Sequence, residues 1–94
     1  MIYKWDPKKA KANLSRHGVS FDEAASVFLD PLAVTFPDPD HSSEEFREIT
    51  LGHSARQRVV FLSHTRRGDH TRLISARKAT RAERKQYEES IKEK

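Results

Sequence analysis

Residues 72–87 join a strand, a helix start and a dense cluster of cations with no intervening loop, and that junction restricts the fold more than any other stretch of the chain. Leu73, Ile74 and Ala76, with the β-branched Thr71 before them, read as a short buried strand. Thr80 then supplies a helix N-cap with Glu83 three residues on, a reciprocal capping box that satisfies two otherwise orphan backbone N–H groups. Arg77 and Lys78 fall at the strand end, beside a helix N-terminus whose exposed amides and dipole favour an anion. A phosphate suits that position.

The preceding chain supplies the sheet. Residues 1–5 read as a first strand, and Asp6-Pro7 gives an N-cap followed by proline at the first helical position, where its missing N–H costs nothing. Residues 7–17 form a lysine-rich helix with a thin apolar stripe of Ala10 and Leu14, closed by Gly18 as a left-handed C-cap. A second helix restarts at once: Ser20 and Glu23 form another capping box, with Val19 and Ala24 as its hydrophobic staple. Phe21, Ala24, Ala25 and Phe28 repeat at the helical spacing that packs on a sheet, and Asp30-Pro31 ends the run. Residues 32–36 read as a strand and residues 37–43, rich in turn formers, as a mobile loop.

Two longer strands follow. Residues 45–53 alternate, with Arg47, Ile49, Leu51 and His53 on one face. Residues 58–64 are apolar on both faces, Val59 and Phe61 against Val60 and Leu62, and so predict a central strand covered on both sides. A four-residue turn over 54–57 would set Arg47 opposite His64, Ile49 opposite Leu62 and Leu51 opposite Val60. Residues 66–69 make a second hairpin turn into the strand of the junction. The last helix, about residues 81–92, has only Ala82, Tyr87 and Ile91 as apolar members and is expected to be exposed. The element order is β-α-α-β-β-β-β-α, an α+β fold with an antiparallel sheet packed with two N-terminal helices.

Composition narrows the function. Ninety-four residues with 35% hydrophobic content predict a single domain over 1–94. Cys is absent, which excludes disulfides and thiolate metal sites. With no apolar run of spanning length and no leader pattern, the expectation is a cytoplasmic chain with no membrane partner. The net charge of +4 conceals an asymmetry. Residues 1–43 carry five Lys/Arg against six acids, whereas residues 56–85 carry ten against only Asp69 and Glu83. A basic half beside a neutral half suggests a polyanion such as RNA or DNA, or a strongly acidic protein; a basic face kept for solubility is the plain alternative.

Trp5-Asp6-Pro7-Lys8-Lys9-Ala10, Asn13, the run from His17-Gly18-Val19-Ser20 to Phe21-Asp22-Glu23-Ala24, Glu45 with Arg47, Leu51-Gly52, and Ile74-Ser75-Ala76-Arg77-Lys78-Ala79-Thr80 with Glu83-Arg84 and Tyr87 resemble, in this order and spacing, the BrnT family of bacterial type II toxin-antitoxin systems. The likeness runs from Trp5 to Tyr87 and lapses between Pro37 and Ser43. The resemblance implies a RelE-like fold and metal-independent ribonuclease activity that stops translation. It also implies neutralisation by a BrnA-like ribbon-helix-helix antitoxin, through which the pair would hold operator DNA and repress its own operon.

RNA can be cleaved without a metal when its own 2′-hydroxyl attacks the adjacent phosphate, given a proton acceptor, a proton donor and a cation for the developing charge. The chain has no Cys and no H-x-x-x-H spacing, so no metal or other cofactor is expected. Arg77 is the first candidate for phosphate stabilisation, with Arg84 beside it, although either could instead pair with Glu83 or Glu88. His64 next to Arg47 is the candidate for proton transfer, the guanidinium holding the imidazole neutral. Glu45 and Arg47 share a face at i, i+2, as a carboxylate base beside a cation or as a plain ion pair. Tyr87 could donate a proton or stack on a base; equally, it could anchor a polar helix to the sheet. His17, before the C-cap glycine, fits a structural role at the helix dipole. Arg58, Arg72, Lys78, Arg81, Arg84 and Lys85 are the candidate RNA-binding cations, and Arg77, Arg81, Arg84 and Lys85 the expected antitoxin contact. A non-catalytic nucleic-acid-binding or partner-binding module would need the same charge without the acid and base groups.

Overall fold

The chain folds where its punctuation falls. Asp6 accepts a hydrogen bond from the Lys8 N–H at 2.9 Å and opens helix α1, Pro7–His17, which Gly18 closes at φ 70°. In this computed structural model, which describes residues 2–38, 40 and 45–92, strand β1 (Ile2–Lys4) precedes that helix. Ser20 caps helix α2, Phe21–Ala25, which tightens into a 3-10 turn over Ser26–Leu29 instead of running on as one helix. Strands β2 (Val34–Pro37), β3 (Arg47–His53), β4 (Val59–Arg67) and β5 (His70–Lys78) follow, and then helix α3, Arg81–Lys92. This is the expected element order. The expected mobile loop, residues 37–43, lies largely outside the described residues. No helix among the described residues is long and apolar enough to cross a membrane.

The five strands form one sheet in the order β1-β5-β4-β3-β2, with β4 central as its two apolar faces require. The sheet departs from the antiparallel expectation at one edge, where β1 runs parallel to β5 through Ile2–His70, Tyr3–Thr71 and Lys4–Arg72. The two N-terminal helices separate β1 from its neighbour in sequence, so no hairpin dictates its direction. Aromatic packing holds it: Tyr3 stacks on Phe28 at 5.0 Å and Trp5 meets Phe21 edge-on at 5.8 Å.

The β3–β4 register differs from expectation by one residue, with a physical cause in the turn. His53 pairs with Val59, leaving a five-residue connection over 54–58, in which Gln57 adopts φ 63° and the Ser54 N–H donates to the Arg58 carbonyl at 2.8 Å. The extra residue sets Arg47 opposite Thr65 and His64 opposite Glu48. Because side chains alternate faces, Arg47 and His64 lie on opposite sides of the sheet, and their expected pairing is undone. A second irregularity lies in β5. Ser63 pairs with Ser75 but His64 with Leu73, so Ile74 is an extra residue in a bulge. Without it, Leu73 and Ala76 would face opposite sides; with it, both enter the same core.

That core lies between the sheet and the N-terminal helices: Val19, Phe21, Ala24 and Val27 pack on Val60, Leu62, Leu73 and Ala76. A smaller cluster on the other face joins Leu51, Ala79 and Tyr87, with Phe61, Val59 and Ile91 at its margin. Helix α3 is otherwise exposed, as its polarity predicted. Gly52 marks the tightest approach. A methyl group there would meet the Ala33 Cβ and a Val27 Cγ, each at 2.9 Å, so Gly52→Ala is expected to cost about 1–3 kcal/mol, read as a lower midpoint in urea with an unchanged slope.

Candidate functional site

Glu83 fills the position that the sequence assigned to a phosphate. The Thr80/Glu83 capping box forms reciprocally: the Thr80 N–H donates to Glu83 Oε1 at 2.8 Å and the Glu83 N–H to Thr80 Oγ1 at 3.2 Å. The same carboxylate takes both terminal nitrogens of Arg77, at 2.8 and 2.9 Å, while the guanidinium lies over the Phe61 ring at 4.0 Å. The helix start does attract an anion, and the chain provides it. Hydrogen bonding from Arg77 holds the Glu83 carboxyl below its ordinary range. Arg77 is therefore committed to the ion pair that was the alternative to its catalytic reading.

His64 is enclosed rather than presented. Only 5% of the residue is exposed; its Nε2 lies 2.7 Å from Thr50 Oγ1 and its ring packs edge-on to Phe28. Burial lowers its pKa to about 4, so it is neutral at physiological pH through desolvation and not through Arg47. On the opposite face Arg47 lies 3.6 Å from Glu45, which also accepts from Arg67 at 3.0 Å. The hydrogen bond from Arg67 lowers the Glu45 pKa. Through Thr65, the strand register aligns Arg47 with Arg72 and Lys4 in one row on that face.

Arg58 turns inward, contrary to its place among the RNA-binding cations. Its Nε donates to Glu23 Oε2 at 2.9 Å, one Nη donates to Glu23 Oε1, and that Nη also reaches the Gly18 carbonyl at 3.0 Å. Glu23 is thereby drawn from the capping box expected with Ser20: Ser20 Oγ accepts the Glu23 N–H at 3.0 Å, but the carboxylate serves Arg58 and Ser54. Lys78, Arg81, Arg84 and Lys85 remain exposed, and among the described residues none has an ion-pair partner. Arg81, Arg84 and Lys85, with Glu88, border an open depression of about 460 Å³.

Tyr87 is the anchor of α3, not a residue open to a substrate. It is 1% exposed, and its hydroxyl donates to Asp30 Oδ2 at 2.5 Å while lying 3.1 Å from His53 Nδ1. Burial, reinforced by the Asp30 carboxylate, raises the phenol pKa well above its ordinary value. Asp30 also accepts the backbone N–H of His53 and that of Leu32, each at 2.9 Å. The sequence reading missed this Asp30–Tyr87–His53 cluster. Its signals are a buried tyrosine hydroxyl in need of a partner and the alternation that puts His53 on the Leu51 face, whereas Asp30 reads in the sequence only as a helix stop.

A small α+β sheet protein with a cationic margin along its C-terminal helix is the class that the fold and these side chains define. The sequence matches the family described as "Ribonuclease toxin, BrnT, of type II toxin-antitoxin system" over residues 5–83, and the chain belongs to that family. No curated protein matches it. Among solved structures, the crystal structure of the Brucella abortus ribonuclease toxin, BrnT, superposes with a TM-score of 0.67 at 20% identity, over 86% of this chain and 100% of that one. The fold is shared with that toxin.

Proposed function

We propose that this chain is an endoribonuclease that cleaves RNA without a metal and so inhibits translation. As a single cytoplasmic domain, it would be silenced by a BrnA-like ribbon-helix-helix antitoxin and, together with it, hold operator DNA. The family match over residues 5–83 supports this reading most strongly. The exposed cations Lys78, Arg81, Arg84 and Lys85 agree with it, since a polyanion is the natural partner of such a margin. Incubating the folded protein with total RNA in excess EDTA is expected to shorten the RNA. Intact RNA from protein whose circular dichroism is native would overturn metal-free cleavage.

The same margin is the expected antitoxin contact, covered by an acidic or amphipathic segment of the partner. Charge reversal by the double variant Arg81→Glu/Arg84→Glu is expected to weaken both RNA binding and neutralisation, and both interactions should weaken as salt rises. Titrating antitoxin against the double variant tests this: unchanged affinity, or a saturated complex that still cuts RNA, would place the partner elsewhere.

A further inference from the structure

The Asp30–Tyr87–His53 cluster fixes more than the seat of α3. Tyr87 has one hydroxyl proton, and the 2.5 Å contact commits it to Asp30, so only a lone pair remains for His53. His53 Nδ1 must then carry the proton in the 3.1 Å contact with that oxygen. The neutral imidazole is left with its Nε2 lone pair free, and among the described residues nothing bonds to it. His53 is exposed and opens on a pocket of about 340 Å³, also lined by Gln57, Lys78, Arg84 and Glu88, a size that admits a nucleotide. Of the five histidines, His64 is enclosed, whereas the His53 ring is oriented from behind by a phenol that the Asp30 carboxylate holds in place, and it stands beside the exposed cations Lys78 and Arg84.

We propose that His53 is the general base of RNA cleavage, with Tyr87 and Asp30 as its positioning residues and Lys78 and Arg84 as the phosphate-binding cations of the same pocket; this rests on the ribonuclease reading above. His53 Nε2 takes the 2′-hydroxyl proton, the 2′ oxygen bonds to phosphorus, and the bond from phosphorus to the 5′ oxygen breaks. The products are a 2′,3′-cyclic phosphate and a 5′-hydroxyl. The leaving oxygen draws its proton from solvent, to which His53 later returns the one it took, so no further reactant is needed. The groups facing the imidazole are Tyr87, Arg84 and Glu88 from α3, Asp30 from the turn before β2, Lys78 from β5 and Arg58 from the β3–β4 connection.

His53→Ala removes one hydrogen bond at the surface and is expected to fold. Its cleavage rate should fall about 10²–10⁴-fold, the range for loss of a general base, while RNA affinity by fluorescence anisotropy stays within about twofold. Added imidazole should restore part of the rate to His53→Ala but not to the parent. Nitrogen-15 NMR of the ring gives a readout independent of activity: the neutral His53 should be Nδ1-protonated, and Tyr87→Phe should release that preference. Cleavage by His53→Ala within about threefold of the parent, or a loss that merely tracks weakened binding, would overturn the assignment and leave the ribonuclease reading standing. An Nε2-protonated ring in the parent would also overturn it. RNA left intact by the parent itself would bring down both together.

Discussion

Asn13→Asp should destabilise the protein by about 3–5 kcal/mol at neutral pH, enough to unfold much of it if its total stability lies near the low end of the usual range of about 5–15 kcal/mol. The exchange keeps the shape of the side chain, so the effect isolates its hydrogen bonds. Strand β1 pairs with β5 only as far as Arg72, which leaves the outer edge of β5 without a strand from Leu73 onward. The Asn13 amide takes the place of that strand. Its Oδ1 accepts the Ala76 N–H at 3.0 Å, and its Nδ2 donates to the Ala76 carbonyl at 2.8 Å and to the Val19 carbonyl at 2.9 Å. One side chain, 7% exposed, thus ties α1 to the sheet and to the start of α2. A carboxylate could still accept from Ala76 but would turn an oxygen toward two carbonyls, both donors gone. The new carboxyl should have its folded-state pKa raised by that setting. The Asn13→Asp protein should then grow more stable as pH falls through that value and lose the gain as pH rises. Chemical denaturation at pH 7 and again near pH 5 would measure both effects, and a cost below about 1 kcal/mol would show the amide to be dispensable.

What the sequence revealed and what it hid divide along a physical line. Local chemistry was legible: Asp6 before Pro7, Gly18 at positive φ and the Thr80/Glu83 box each act within a few residues, and each formed where the residues called for it. The central position of β4 was legible too, because apolar side chains on both faces have no other place. Register was not. It turned on one residue in the 54–58 connection, where Gln57, not a glycine or asparagine, takes the left-handed conformation. That single residue separated Arg47 from His64 and took away the proton-transfer pair inferred from their alignment.

The candidate site shows the same division with respect to charge. Counting cations located the basic half but could not say which of them the chain uses itself. Arg77 and Arg58 are both consumed by internal carboxylates, Glu83 and Glu23, six and thirty-five residues away. The first partner sits within the capping box, where its spacing already offers it as an alternative; the second lies across the fold, and no local pattern announces it. Among the described residues the cations left without an acidic partner are those on the α3 margin, Lys78, Arg66 and Arg72, fewer than the count of ten between residues 56 and 85 suggested.

Glu23→Ala should cost about 2–4 kcal/mol, because it strands polar groups that now close the joint between α2 and the β3–β4 connection. The Glu23 side chain is 4% exposed; besides Arg58 it accepts the Ser54 hydroxyl at 2.7 Å, and Arg56 lies 4.0 Å away. Arg58, at 26% exposure, can recover some hydration by moving outward, which keeps the expected cost below the full penalty of a buried lone charge. The coupling should be visible in a double-mutant cycle: Glu23→Leu with Arg58→Leu should cost less than the two single changes summed, by about 1–3 kcal/mol. Acid should act on the same joint. The Glu23 pKa lies below its ordinary value of 4.5, chiefly through the hydrogen bond from Arg58, so the folded state binds its proton less readily than the unfolded chain. That contribution is complete above the unfolded value of 4.5 and is lost as pH falls through the folded one. The parent should therefore lose stability more steeply below about pH 4.5 than Glu23→Gln does. Parallel stability profiles for the two proteins from pH 6 down to about pH 3 would mean that the Glu23–Arg58 pair makes no net contribution to the fold.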